Sequence, residues 1–320
     1  MRRFTAILAI LLVFGTPLAA LAQESGEGVI NGQVVNDTQE GSSVAGVEVT
    51  LITYVDDMMA EIRTTTTDQE GKFQFDNVVM EYKYLVSARY MEVDYYYPVA
   101  FEPGETTAYI NAGVCDTTVS DEAISVGLAH NIIKIEEESL LVTEVFWLIN
   151  DGDRTYVGTD GVLVFTLPEG ATDFEAPQEL MPDYELRDNN SVAYLVPLPP
   201  GETQLVYSYR LVKTDSHEFA IPLEISYPTD IYELMVGGEE TEVAVTQLAP
   251  AEPVFTSTGE RFIHFWGEDL PRGTVINLRL SNLSENGSMF LIILWVMIAV
   301  VIAGIIVYLL KKVRREKPNE

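Results

Sequence analysis

One cysteine, three histidines, and 19 basic side chains against 49 acidic ones are the shortages of this 320-residue chain. Each closes off a class of protein. With Cys115 alone, no disulfide can form within the chain, so stability has to come from apolar burial. A net charge of −30 argues against nucleic acid or anionic lipid as a partner, since both are polyanions. It favours solubility, cation binding or high ionic strength, where screening makes self-repulsion tolerable. None of His130, His217 and His264 has a glutamate three residues on, so the paired ligands of a zinc carboxypeptidase are missing. The three lie far apart in strand-like segments, which points to separate structural or surface roles. No Gly-x-Ser-x-Gly elbow, Ser-x-x-Lys pair or Gly-rich phosphate loop ahead of a helix is present. No enzyme is expected from this inventory.

What is present at the two ends places the chain in a membrane. Arg2 and Arg3 precede an apolar run, and Ala20-Leu21-Ala22 has the small-x-small form of a signal peptidase site, so residues 1–22 read as a signal peptide. Residues 289–310 form an uncharged apolar run long enough to cross the hydrocarbon core as a helix. The basic flank Lys311, Lys312, Arg314 and Arg315 belongs in the cytoplasm. The expected topology is a single-pass cell-membrane protein with its N-terminus outside and residues 311–320 as a cytoplasmic tail. Without leader and tail, the stretch between carries a net charge of −35.

Between those ends the chain reads as strands. Ile30, Gly32 and Val34 alternate with polar positions, as do Val47, Val49 and Leu51, then Phe73 and Phe75, then Tyr84, Val86, Ala88 and Tyr90; period two with one apolar face is the mark of a half-buried sheet. From Ile124 to Leu283, strand-like runs and turn signals continue at near-regular spacing. The fold expected is an all-β ectodomain of two or more β-sandwiches plus one C-terminal transmembrane α-helix. Its domains would be residues 23–115, residues 116–283, with a further division conceivable near Ser226-Tyr227-Pro228, and a short stalk at 284–288.

Gly32-Gln33-Val34, Val44 to Leu51, Thr64 to Asp68, Gly71-Lys72-Phe73-Gln74-Phe75 and Tyr84 to Ala88 carry a resemblance. Together they resemble the carboxypeptidase regulatory-like domain, a transthyretin-like (prealbumin-like) sandwich, over roughly residues 28–114. The resemblance implies an accessory or binding module on a secreted or surface protein, with no catalysis of its own. The whole arrangement is similar to single-pass bacterial envelope proteins.

Two stretches are candidate sites. In Asp94-Tyr95-Tyr96-Tyr97-Pro98, strand alternation sends Tyr95 and Tyr97 one way and Tyr96 the other. At least one ring then faces solvent, as a peptide or glycan patch would require, unless the tyrosines are core and rim. Asn150-Asp151-Gly152-Asp153 has oxygen ligands at alternate positions, as calcium loops do, which makes Asn150, Asp151 and Asp153 candidate ligands. The competing reading is a hairpin turn between Leu148-Ile149 and Tyr156-Val157, since Asp-Gly is a favoured turn pair. Leu270-Pro271-Arg272-Gly273-Thr274 nearly matches a sortase signal but reads better as a turn. Cys115 reads as a small semi-buried side chain or as the site of an intermolecular disulfide.

The function expected is a non-catalytic, membrane-anchored binding or scaffold protein of the cell envelope. A protein, peptide or glycan partner would lie outside the membrane, with calcium the only cofactor suggested. The alternative is an accessory subunit of a membrane-bound enzyme or transport complex, its span packed on partner helices through Ala299, Ala303 and Gly304.

Overall fold

The computed structural model describes residues 26–178, 180–213, 218–238, 241–257 and 259–283. The signal peptide, stalk, membrane span, tail and His217 lie outside the described residues. Among the described residues no helix is long and apolar enough to cross a membrane, and the secondary structure is almost all strand. The chain divides into two compact units, residues 26–35 with 44–113, and residues 36–43 with 114–283. Val114, Cys115 and the loop at 36–43 fall in the second unit.

The first unit holds β1 (Glu27–Asn36), β2 (Glu48–Val55), β3 (Met58–Thr66), β4 (Lys72–Val79), β5 (Lys83–Tyr90), β6 (Val93–Val99) and β7 (Thr107–Val114). They form two sheets, ordered β4-β1-β7 and β3-β2-β5-β6. The alternation read from the sequence becomes two buried rows, Ile30, Val34, Phe73 and Phe75 on one sheet and Val49, Leu51, Val86 and Ala88 on the other. Burying each of the Val, Leu, Ile and Phe side chains among them contributes about 1.5–3 kcal/mol. The rings of Phe73 and Phe75 meet edge to face, 6.0 Å apart. Gly32 makes room for them, since a Cβ there would lie 2.1 Å from the Phe73 ring. In the turn before β4, Asp68 Oδ1 accepts from the backbone N–H of Glu70 (3.0 Å) and Lys72 (2.8 Å). Gly71 closes that turn at φ +79°, a conformation that disfavours any residue with a Cβ.

The second unit contains β8 (Thr117–Thr118), β9 (Ile124–Ile135), β10 (Ser139–Asn150), β11 (Thr155–Tyr156), β12 (Leu163–Thr166), β13 (Ala171–Glu175), β14 (Tyr184–Arg187), β15 (Ser191–Tyr194), β16 (Gly201–Val212), β17 (Glu218–Glu224), β18 (Thr229–Gly237), β19 (Glu242–Val245), β20 (Ala249–Pro250), β21 (Val254–Phe255), β22 (Arg261–Leu270) and β23 (Val275–Ser281). The large sheet runs β13-β16-β10-β9-β18-β22-β20, with β21 also on β22, and β9 and β18 pair in parallel. Two three-stranded sheets, β12-β15-β14 and β17-β23-β19, supply the other apolar rows. Leu163, Tyr194 and Tyr207 share one continuous buried cluster with Ile221, Leu234, Ile276 and Leu278. The region is therefore not divided at Ser226-Tyr227-Pro228: Tyr227 is itself in that cluster, and its hydroxyl oxygen accepts the Val164 N–H at 3.0 Å. Pro271 to Thr274 is the turn from β22 to β23, closed by Thr274 N–H on the Pro271 carbonyl at 3.1 Å.

Candidate functional site

In the first unit, register places like with like on the face of the four-stranded sheet that points away from the core. Ile62, Ile52, Leu85 and Pro98 stand directly across from one another on β3, β2, β5 and β6. This is one apolar row spanning all four strands. The next row is Thr64, Thr50, Ser87 and Tyr96. On the other side Met59 faces Tyr54, and Tyr54 faces Lys83. Met59, Ile62 and Tyr96 are exposed at 61%, 55% and 57%, while Ile52, Tyr54 and Leu85 are half-buried. Ion pairs border the belt on two sides: Lys83 Nζ lies 2.6 Å from Asp57, and Arg89 Nη1 lies 3.1 Å from Asp94. An apolar centre inside a charged rim is the anatomy of a protein interface.

The tyrosine run is split by this sheet. Tyr95 is buried and Tyr97 half-buried, and the Tyr97 hydroxyl hydrogen-bonds the Gly113 carbonyl. Only Tyr96 belongs to the outer face. Tyr84 and Tyr90 are core.

In the second unit, Asn150 is buried and both hydrogens of its side-chain amide are engaged. Its Nδ2 donates to the carbonyls of Arg154 and Leu198, both at 2.9 Å, and its Oδ1 accepts the Gly152 N–H at 3.0 Å. Asp153 Oδ2 accepts the Gln39 N–H at 3.0 Å, and the Asp151 N–H donates to the Ala123 carbonyl. Among the described residues no three His, Cys, Asp or Glu side chains are grouped to hold a metal ion. Nor is the turn a hairpin: the chain leaves β10 and enters β11, which pairs in parallel with β8, because the Thr155 N–H goes to the Asp116 carbonyl. Asp116 is buried and gathers the loop at 36–43, accepting from Asn36 Nδ2 at 2.8 Å and Ser42 Oγ at 3.0 Å, with Arg154 at 3.4 Å. Beside it Cys115 is buried, and burial followed by the charge of Asp37 pushes its thiol up, away from thiolate chemistry.

Two carboxyl centres in the large sheet escaped sequence reasoning. Glu144 sits in one row with Asn131 on β9 and Tyr207 on β16. It accepts from Tyr207 Oη at 2.6 Å, Tyr209 Oη at 3.1 Å and Asn131 Nδ2 at 2.9 Å. Burial pushes its carboxyl above the ordinary range, and the three donors pull the other way. Burial, with Glu144 next, holds the phenols of Tyr207, Tyr209 and Tyr232 firmly protonated. On the outer face of the same sheet, Glu233 lies 3.0 Å from His130 Nε2 and 3.9 Å from His264 Nε2. The His130 ring packs edge-on to Trp147 at 5.2 Å. Sequence placed the histidines in separate roles, whereas strand pairing brings His130 and His264 to the same glutamate.

No curated protein matches the chain. A crystal structure of a two-domain M1 zinc metallopeptidase variant bound to L-tryptophan aligns at 10% identity and a TM-score of 0.33, covering 51% of this chain and 44% of its own. That likeness is too slight to bear on fold or activity. A family model described as the second beta sandwich domain of the BOS complex subunit NOMO1-like proteins matches residues 28–94. The first unit is thus similar to a β-sandwich of that family.

Proposed function

We propose that this chain is a non-catalytic, membrane-anchored binding or scaffold protein of the cell envelope, and that its first sandwich docks a protein partner through the outer face of β3-β2-β5-β6. The observation that carries the reading is the row Ile62, Ile52, Leu85 and Pro98, uncovered within its own unit and bordered by ion pairs. Centrally placed apolar and aromatic side chains inside a polar rim are where binding energy concentrates. The module's resemblance to the carboxypeptidase regulatory-like domain supports a binding role, as does the family model's origin in a complex subunit. The leader and the basic-flanked span at 289–310 support an external ectodomain and a cytoplasmic tail.

The test is the native size of the full chain solubilised from its own membranes in mild detergent. Wild type should run in a complex larger than the chain, and Leu85→Asp should release it. Tyr109→Asp, at an exposed position on the other sheet of the unit, should leave the complex intact. A complex that survives Leu85→Asp would remove the belt from the function. Stoichiometric membrane proteins in the complex would favour the accessory-subunit reading over a soluble ligand.

A further inference from the structure

In the second unit a cavity of about 30 Å³ is lined by Glu144, Phe146, Phe165, Tyr227 and Tyr232, and also by exposed Glu224. Its lining thus includes both a buried carboxyl and an exposed one. The three groups that donate to Glu144 are all neutral, and among the described residues it has no ion pair with a Lys, Arg or His. A buried carboxylate without a counter-charge is costly, so this one either keeps its proton or takes a cation from solution. Acceptor arithmetic leaves room for the second: Oε1 accepts two hydrogen bonds, from Asn131 and Tyr209, whereas Oε2 accepts one, from Tyr207. An oxygen with two lone pairs then has one acceptor position open. The rings are held in place by their own packing. Phe146 and Phe165 stack at 4.8 Å, and Phe165 meets Tyr227 edge to face at 5.6 Å. An anionic oxygen with an open acceptor position suits an ammonium group, which carries donors and no acceptor, and the strongly negative chain raises the local concentration of cations.

We propose that this cavity binds a small primary ammonium group, held between the Glu144 carboxylate and the rings of Phe146, Phe165, Tyr227 and Tyr232. The volume limits the bound head to a few atoms, so ammonium or methylammonium fits and tetramethylammonium does not. A lysine side chain of a peptide would present the same head group.

The test uses the full chain in detergent, with methylammonium chloride as probe and sodium chloride and tetramethylammonium chloride at matched ionic strength as controls. Saturation-transfer NMR on the probe's methyl group reads binding directly, and the melting midpoint reads its effect on the fold. Wild type should give saturation transfer to methylammonium and a midpoint rise beyond that in sodium. Removing one partner of the charged contact in Glu144→Gln should weaken binding by about tenfold or more. Val126→Ile adds a methyl group to a wall residue of the same cavity and should exclude the probe while leaving Glu144 in place; it decides the matter if Glu144→Gln fails to fold. A second arm with N-acetyl-lysine amide separates a peptide lysine from a free amine. Equal midpoints in methylammonium and sodium with no saturation transfer, or transfer that persists in Val126→Ile, would overturn the proposal and leave the cavity to water.

Discussion

His130 Nε2 lies 3.0 Å from Glu233 Oε2, and the two residues face each other across the parallel pairing of β9 and β18. Burial lowers the pKa of the imidazole, the Glu233 carboxylate opposes that shift and His264 adds to it. The folded pKa therefore lies below the unfolded value of about 6.5. The unfolded chain takes up a proton first as pH falls, so the His130 contribution is present above about pH 6.5 and is lost as pH drops towards the folded value. Melting curves between pH 8 and 5 should show this acid loss, and His130→Gln should flatten it. Trp147, packed on the ring, should report the same titration by fluorescence, and a slope unchanged in His130→Gln would assign it elsewhere.

Glu144 acts in the opposite sense. Its folded pKa is raised by burial, so the folded state holds the proton longer than the unfolded one. Its contribution is fully present below the ordinary carboxylate pKa and is lost as pH rises through the raised value. Glu144→Gln should gain on wild type as pH increases, with the difference measured by denaturant unfolding at a series of pH values. A constant difference at every pH would mean that the carboxyl does not titrate over that range.

The tyrosine run should divide by face. Tyr96→Ala, on the outer face, should change stability by within about 0.5 kcal/mol. Tyr97→Ala removes a half-buried ring and its hydrogen bond to Gly113, and Leu51→Ala empties a fully buried site, so both should be clearly destabilising, the latter by about 2–5 kcal/mol. Urea unfolding of the single variants checks the order.

Asn150→Ala leaves two carbonyls and one N–H without their side-chain partner; unmet buried groups of this kind cost about 1–3 kcal/mol each at most. Because no three acidic, His or Cys side chains are grouped there among the described residues, calcium chloride should stabilise no more than sodium chloride at equal ionic strength. A calcium-specific rise in the midpoint would show that Asp151 and Asp153 bind the ion after all.

Strand alternation was legible in the sequence wherever one face is buried. The rows Val49 and Leu51, Phe73 and Phe75, and Val86 and Ala88 stand in the core as their spacing requires. The opposite orientations of Tyr95 and Tyr96 followed from the same rule. Register did not follow, because which residue of β3 meets Ile52 depends on a bulge between Thr53 and Tyr54 that carries no local signal. The apolar row therefore appears only once the strands are paired. The same holds for Glu144 with Tyr207, and for Glu233 with His130, which meet through pairings between strands distant in sequence. The turn at Asn150 was misread as a hairpin because Asp-Gly reports a reversal of the chain and not the sheet that the chain enters next.

The docking face is tested most directly by a photo-crosslinking amino acid placed singly at positions 52, 62, 85 and 96 of the full chain, and at 109 as a control, in intact cells. The account predicts one discrete protein adduct common to the four belt positions and absent at 109. Adducts of equal yield at all five positions, or none at the belt, would contradict it.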